Sequence, residues 1–237
     1  MKRTIALILT AVALSGCFNI KLNKDGFLTV NDGNLVFSSK RIKSEGPAVK
    51  KVYDTEAFSA IKILGAYDID FAQGDSTLVE VEAAENIHEV LDIKAVDGVL
   101  ILSTKDKVNV DKVSVTITNP TLNSLGIMGA GDVDIDGAAA DEDFELEING
   151  TGDVNIKKLS CKDMDVKING AGDLDIEDLD CKDLNIKING TGDAVLSGKA
   201  ENVDASINGV GEIDAKALEV SGNFNKKVSG IGKVTMP

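Results

Sequence analysis

The C-terminal half of the chain repeats one short motif six times, and this repetition constrains the fold more than any other feature. Each copy has an Ile or Val, one further residue and a Gly-x-Gly pair, then alternating apolar positions. The steps between successive first glycines are 21, 20, 20, 19 and 21 residues. So regular a period is typical of a solenoid, in which each repeat buries its apolar face against its neighbours. The first glycines are Gly129, Gly150, Gly170, Gly190, Gly209 and Gly230.

Alternating apolar residues on both sides of each Gly-x-Gly pair predict two short strands per coil. Met164, Val166 and Ile168 share one face of the strand before the corner, and Leu174 and Ile176 share one face of the strand after it. Little sequence remains for the helical return segment of a leucine-rich repeat. We therefore predict an all-β, single-stranded parallel β-helix with about 20 residues per coil, right-handed by the usual crossover chirality.

In such a stack, residues one period apart lie directly above one another. Asn149, Asn169, Asn189 and Asn208 are then expected to form a ladder of side-chain amides. We expect the paired glycines to supply turn conformations with positive φ.

Strands are also predicted before the clear repeats, from about Tyr53. A degenerate copy of the motif surrounds Gly65, and the 64 residues from Gly65 to Gly129 predict about three further periods. Residues 83–91 could form a helical turn or two. His88, the single histidine, is interpreted as a surface residue.

The first 16 residues have the pattern of a lipoprotein signal peptide. Lys2 and Arg3 precede a short apolar stretch, and Leu14-Ser15-Gly16-Cys17 resembles the bacterial lipobox. The resemblance implies cleavage before Cys17, lipid attachment at Cys17 and anchoring to a membrane of the cell envelope. An ordinary signal peptide with a chance cysteine is the alternative. Phe18 in place of Asp favours the outer membrane if the host has one.

The remaining chain divides into two parts. Residues 17–51 are predicted to be a lipid-anchored tether with some strand character, and the alternative is a hairpin that pairs residues 27–30 with residues 35–37. Residues 52–237 are predicted to be the β-helix domain.

The charge of the chain argues against some classes of partner. Without residues 1–16 the net charge is 23 − 39 = −16, which repels nucleic acid and anionic headgroups. We therefore expect no nucleic-acid partner, and expect the membrane to be reached through the N-terminal lipid.

Cys161 and Cys181 occupy the same repeat position, one coil apart. Stacked coils bring equivalent Cα atoms to about 4.8 Å, within the range that a disulfide tolerates. Two alternatives stay open: a disulfide formed after export, or two reduced cysteines packed as small apolar side chains. A metal site is not expected from two thiols without a nearby histidine.

Acidic residues follow the second glycine of the first five repeats. Asp132, Asp153, Asp173, Asp193 and Glu212 should form one outward column, with Asp134, Asp175 and Asp214 in a broken column beside it. Like charges at this spacing repel, so turn amides, solvent, a cation or a basic partner should compensate them. We expect each Asp to cap its own glycine turn. Asp153, Asp173 and Asp193 are weak candidate ligands for Ca²⁺, and no other metal or cofactor is expected.

The chain resembles the family described as putative auto-transporter adhesin, head GIN domain. The resemblance covers about three quarters of the chain, from residues 58–65 through 97–101 and 113–120 to the Gly-x-Gly repeats. It implies a pectin-lyase-like β-helix without catalytic residues, a cell-envelope location and a role in adhesion.

Together these features predict a non-catalytic lipoprotein whose acidic face contacts an envelope protein or a glycan. The alternative is a β-helix that binds or degrades polysaccharide, with or without Ca²⁺. A scaffold that self-associates into homo-oligomers is a third hypothesis. Repeated rather than convergent carboxylates argue against an enzyme.

Overall fold

The structure is a computed structural model that describes residues 21–22, 26–31, 34–38, 41–105, 108–111, 113–140 and 142–237. The predicted signal peptide and the lipid-attachment residue Cys17 lie outside these ranges. No helix among the described residues has the length and hydrophobicity that a membrane span requires.

The first strands form a small sheet of their own. Strands β2 (Gly26–Asn31) and β3 (Asn34–Ser38) pair antiparallel, with Thr29 opposite Val36, which is the pairing of the hairpin alternative. Strand β1 (Lys21–Leu22) pairs parallel with β3.

The segment before the clear repeats contains nine strands and one short helix among its described residues. The helix falls within the predicted helical turn of residues 83–91. The elements are β4 (Arg41–Ile42), β5 (Ala48–Val52), β6 (Ala60–Ile63), β7 (Tyr67–Gln73), β8 (Leu78–Ala84), α1 (Glu85–His88), β9 (Leu91–Val96), β10 (Val99–Thr104), β11 (Asn109–Val110) and β12 (Val113–Asn119).

The repeats form the remaining strands, which lengthen toward the middle of the stack as the return segments also become extended. They are β13 (Ser124–Ile127), β14 (Val133–Ala139), β15 (Phe144–Ile148), β16 (Val154–Ser160), β17 (Asp163–Ile168), β18 (Leu174–Ile188), β19 (Ala194–Ile207), β20 (Val210–Val220), β21 (Phe224–Val228) and β22 (Ile231–Thr235).

These strands wind into a β-solenoid of about five turns, with coils of about 21 residues. Each strand pairs parallel with its equivalent in the next coil. Along the first sheet, Leu146 lies beside Val166, Val166 beside Ile186, and Ile186 beside Ala205. The predicted stacking of residues one period apart is therefore confirmed.

The core runs along the axis of the solenoid as columns of aliphatic side chains. Leu146, Val166 and Ile186 on the first sheet are almost fully buried, as are Ile156 and Ile176 on the second sheet. A fully buried aliphatic side chain contributes roughly 1.5–3 kcal/mol relative to an exposed one. Burial against adjacent coils is thus the main stabilising term.

The structure does not place three coils between Gly65 and Gly129, so the prediction of about three further periods there is wrong. Strands β6 and β7 pair directly with β13 and β14, so the two glycines belong to adjacent coils. On their other side, β6 and β7 pair with β10 and β12. The intervening segment therefore folds back over the N-terminal end of the stack. Its strands β8, β9, β10 and β12, which we call the end layer, include the antiparallel pairs β9–β10 and β8–β12.

Asn119 anchors the crossover by which the chain returns from this end layer to the repeats. Its amide nitrogen donates to the carbonyl oxygens of Phe58 at 2.8 Å and Thr121 at 2.7 Å, and its amide oxygen accepts from the Thr77 hydroxyl at 2.7 Å. Asn119 is 1% exposed, so these bonds replace those that water would make.

The glycine columns arise from crowding between coils more than from positive φ. A Cβ on Gly150, Gly170 or Gly190 would overlap the carbonyl oxygen of the glycine one coil earlier. Of the paired glycines in the six repeats, only Gly152 and Gly211 have a positive φ. The expectation of positive φ at every corner is therefore wrong.

His88 is buried, and its interpretation as a surface residue is also wrong. Its Nε2 lies 3.0 Å from the Val49 carbonyl oxygen, and its Nδ1 lies 3.0 Å from the Tyr53 hydroxyl. A carbonyl can only accept, so Nε2 carries a proton and donates it to Val49. Through these two hydrogen bonds His88 connects β5 and Tyr53 to helix α1.

Candidate interaction surface

The acidic residues that follow the Gly-x-Gly corners form one column, as the repeats predict. We call Asp132, Asp153, Asp173, Asp193 and Glu212 the corner column. Within it, a carboxylate oxygen of each Asp accepts a hydrogen bond from the backbone N–H of the acid one coil later. The distances from the backbone nitrogen to the Oδ1 atom one coil earlier are 3.2, 3.0, 2.7 and 2.7 Å for the donors Asp153, Asp173, Asp193 and Glu212, in that order.

These bonds correct the expectation that each Asp caps its own glycine turn. The donor belongs to the next coil, so each carboxylate joins two coils. A hydrogen bond from a backbone N–H to an ionised carboxylate is charge-assisted and favours the charged form. The repulsion along the column is therefore offset locally. Asp153, Asp173 and Asp193 remain exposed and accessible to a partner.

A second column runs along the outward face of the neighbouring sheet, and two of its residues are not acidic. We call this set the strand column: Asp70, Asp134, Asn155, Asp175, Val195 and Asp214. Asn155 stands between two acids and donates from Nδ2 to Oδ1 of Asp134 at 2.9 Å. An amide at the gap thus replaces like-charge repulsion by a hydrogen bond.

The same alternation of acid and amide appears on the other sheet. Asn185 donates to Asp165 at 2.6 Å, and Asn225 donates to Asp204 at 3.0 Å. The sequence carries this signal, because aligning the repeats places Asn between successive acids. Reading only the acidic positions misses it.

A shallow groove of about 550 Å³ follows part of the strand column. Asp136 and Glu177 also line the groove, as does Lys157, whose ammonium lies 2.5 Å from the Asp136 carboxylate. Lys157 is exposed and its pKa is raised, chiefly by its hydrogen bond to Asp136. The groove nevertheless carries more carboxylates than cations.

The weak candidate ligands Asp153, Asp173 and Asp193 lie one coil apart and bond to backbone N–H groups. No cluster of three or more His, Cys, Asp or Glu side chains in the described part of the chain is placed to hold a metal ion. Calcium binding by Asp153, Asp173 and Asp193 stays a prediction.

The asparagine column forms the predicted ladder. Asn169 donates to Asn149, and Asn189 to Asn169, both at 2.8 Å, while Asn208 donates to Asn189 at 3.4 Å. The ladder ties the corners of four coils together.

Cys161 and Cys181 lie at equivalent positions of adjacent coils, and both are free and buried. Burial, the largest cause, raises the pKa of Cys161 to about 11 and that of Cys181 to about 12. Neighbouring acidic groups, including Asp163 and Asp180, contribute to these raised pKa values. A thiolate is therefore disfavoured here, and the disulfide stays a prediction.

Comparisons with known proteins agree with this architecture. The family model described as putative auto-transporter adhesin, head GIN domain, matches residues 57–177 and 160–236. A search of curated proteins found no match.

Solved structures of three bacterial proteins have a similar fold. A putative adhesin from Bacteroides fragilis has 26% sequence identity and a TM-score of 0.68, covering 81% of this chain and 98% of its own. Putative adhesins from Parabacteroides distasonis and Parabacteroides merdae have 18% and 17% identity, with TM-scores of 0.57 and 0.50. Each of these two matches covers 82% of this chain and 99% of the solved chain, and both show similarity of the fold alone.

Proposed function

Because the chain belongs to the putative auto-transporter adhesin, head GIN domain family, we propose that it is a non-catalytic adhesin of the cell envelope that binds cationic groups of a partner through its acidic columns. The partner is an envelope protein or a glycan that carries positive charge. The corner and strand columns together form the proposed binding face.

The observation that carries this proposal is the way in which the corner column is held. Each of Asp153, Asp173 and Asp193 is fixed by a backbone N–H from the next coil yet remains exposed. The carboxylates are therefore ordered before a partner arrives, which lowers the entropic cost of binding. Their regular spacing suits a partner with several cationic groups, because linked contacts add avidity.

We propose binding rather than catalysis because the carboxylates repeat and do not converge. An active site places different groups around one reacting atom, usually in a cleft. Here equivalent carboxylates follow one another along an open face. The buried cysteines, with their raised pKa, are poor nucleophiles.

We place the protein at the membrane through its N-terminus. The lipobox-like sequence ending at Cys17 supports a lipid anchor, and Phe18 favours the outer membrane in a host that has one. Residues 18–51 would then connect the anchor to the solenoid.

Binding to immobilised polylysine, measured by biolayer interferometry, tests the acidic face. A triple variant, Asp153→Asn with Asp173→Asn and Asp193→Asn, removes three charges while Asn Oδ1 can still accept the backbone N–H. We expect its affinity to fall about tenfold or more.

The matched control removes three charges elsewhere through Glu56→Gln, Asp75→Asn and Glu89→Gln, all at exposed sites. Its affinity should stay within about twofold of the unaltered protein. Equal losses in the two triples would mean that net charge alone drives binding, against the proposal. Release of reducing ends from acidic glycans, with or without calcium, would contradict the absence of catalysis.

A further inference from the structure

The asparagine ladder is interrupted at one end of the stack by two apolar residues. Leu64 and Met128 occupy the ladder position in the first two coils, where later coils have Asn149 and Asn169. The backbone confirms the equivalence: Met128 N donates to Ile63 O, as Asn149 N donates to the equivalent Ile127 O. Leu64 and Met128 are 41% and 42% exposed, in place of polar amides.

These two side chains line a cleft of about 1000 Å³ beside the two-stranded sheet of β4 and β11. Val108 and Val110 also line it, together with Ala66 and Ala130. A volume of this size is typical of sites for small molecules. Polar and charged residues line the cleft beside the apolar ones: Arg41, Asp92, Ser103, Thr104, Lys105 and Asn109. The cleft belongs to the non-repeated end of the molecule, away from most of the acidic columns.

Among the described lining residues, Arg41 and Lys105 against Asp92 give the charged groups a positive balance. Arg41 pairs with Asp111 at 2.9 Å, and Asp92 pairs with Lys94 at 2.8 Å, so each has an opposite charge beside it. Lys105 instead donates to the main-chain oxygen of Glu89 at 2.9 Å. That acceptor is neutral, so this bond leaves the ammonium charge available to a ligand.

The lining also indicates the shape of the ligand. None of the described lining residues is aromatic, so the cleft lacks the flat rings on which a planar or cyclic ligand would stack. Its apolar groups are aliphatic, and Met128 is adaptable in shape. A flexible aliphatic chain fits such a surface.

We propose that this cleft binds a single-chain aliphatic carboxylate of the fatty-acid type. The chain lies against Leu64 and Met128, and the carboxylate faces Lys105. This activity is separate from the acidic columns and does not depend on the proposed adhesion.

Isothermal titration calorimetry with dodecanoate, below the concentration at which it forms micelles, tests the site. Leu64→Asn with Met128→Asn restores the residue that the chain itself uses at this position in later coils, so the fold should persist. We expect saturable binding by the unaltered protein and an affinity at least tenfold lower in the double variant. Ile231→Asn, at an exposed apolar residue of the opposite end, should leave the affinity unchanged.

The role of charge is tested with Lys105→Gln and with the uncharged amphiphile dodecyl maltoside. Lys105→Gln should weaken dodecanoate about fivefold, and dodecyl maltoside should bind the unaltered protein at least tenfold more weakly than dodecanoate. Absence of saturable dodecanoate binding, or equal binding by the Leu64 and Met128 double variant, would overturn the site. Equal affinity for the two amphiphiles would overturn its assignment to an anion.

Discussion

The side-chain amide of Asn185 donates a 2.6 Å hydrogen bond to the carboxylate of Asp165, the equivalent residue one coil earlier. This pair shows how an acidic solenoid tolerates its own charge. At this position, and likewise at Asn155 and Asn225, an amide beside an acid provides a donor in place of a second negative charge. The side chain that is favoured at each position thus depends on the residue one period away.

Replacing Asn185 by Asp should destabilise the protein by about 1–2 kcal/mol, because a hydrogen bond is lost and like charges come to lie side by side. Urea unfolding, which adds no charge to the solvent, measures the change. The loss should shrink in about 1 M NaCl, where the screening length is roughly 3 Å. A loss independent of salt would contradict an electrostatic cause.

Gly170→Ala should destabilise the protein by about 3 kcal/mol, because its Cβ would overlap the Gly150 carbonyl oxygen and force adjacent coils apart. Gly137→Ala is the matched control. Nothing lies within 4 Å of a Cβ at Gly137, so its effect should stay within about 0.5 kcal/mol. Equal effects of the two substitutions in thermal unfolding would refute crowding as the reason for the glycine columns.

Tyr53→Phe should loosen β5 without affecting the repeats. It removes the hydroxyl that is hydrogen-bonded to Nδ1 of His88, at a cost of about 1 kcal/mol, and among the described strands β5 pairs with β8 alone. Amide hydrogen exchange of Ala48–Val52 should accelerate roughly fivefold, since a factor of ten corresponds to about 1.4 kcal/mol. The amides of β17 are the internal reference, and faster exchange there as well would point to global destabilisation.

The buried thiols should react slowly with a thiol reagent at pH 8. With pKa values of about 11 and about 12, roughly one in a thousand or fewer of these thiols is ionised at that pH. Unfolding in urea should accelerate labelling by at least about a hundredfold. Rapid labelling of the native protein would contradict the burial of Cys161 and Cys181.

The same shifts predict that alkali weakens the fold. The pKa of each thiol is raised above its ordinary value of 9.0, so the folded state holds the proton more tightly than the unfolded state. This stabilising contribution is complete below about pH 9 and is lost as the pH rises toward 11 and 12. Cys161→Ala with Cys181→Ala should flatten the decline of unfolding free energy over that range, and an unchanged slope would contradict the prediction.

Cys17→Ser should release the protein from the membrane fraction of its host. Without the Cys17 thiol the lipid cannot be attached, and that lipid is the proposed link to the membrane. Fractionation followed by immunoblotting measures the distribution. Continued membrane association of this variant would contradict the lipid anchor.

The sequence predicts the stacked part of the molecule because its period is nearly constant. Equal spacing brings Asn169 beside Asn149 and Leu146 beside Val166, so one coil implies the next. The resemblance of the chain to the head GIN family also follows from these repeats, and the family match confirms it.

The N-terminal end is less predictable, because alternating strands bury one face equally well in parallel and antiparallel pairings. Spacing alone suggests that the segment from Gly65 to Gly129 continues the winding. The structure instead places the coil of Gly65 next to the coil of Gly129 and folds the segment between them back over the end of the stack. Hydrogen bonds from Asn119 stabilise the crossover to the repeats.

The amino-acid sequence by itself determines the period, the inward apolar columns and the identity of the side chains that stack outside them, because these depend on neighbours at a fixed distance along the chain. Only the tertiary structure decides which layers lie next to the first coil, why His88 is buried, and that Leu64 and Met128 line a cleft. Those relationships join residues at irregular separations, and their geometry depends on how the whole end layer packs against the stack.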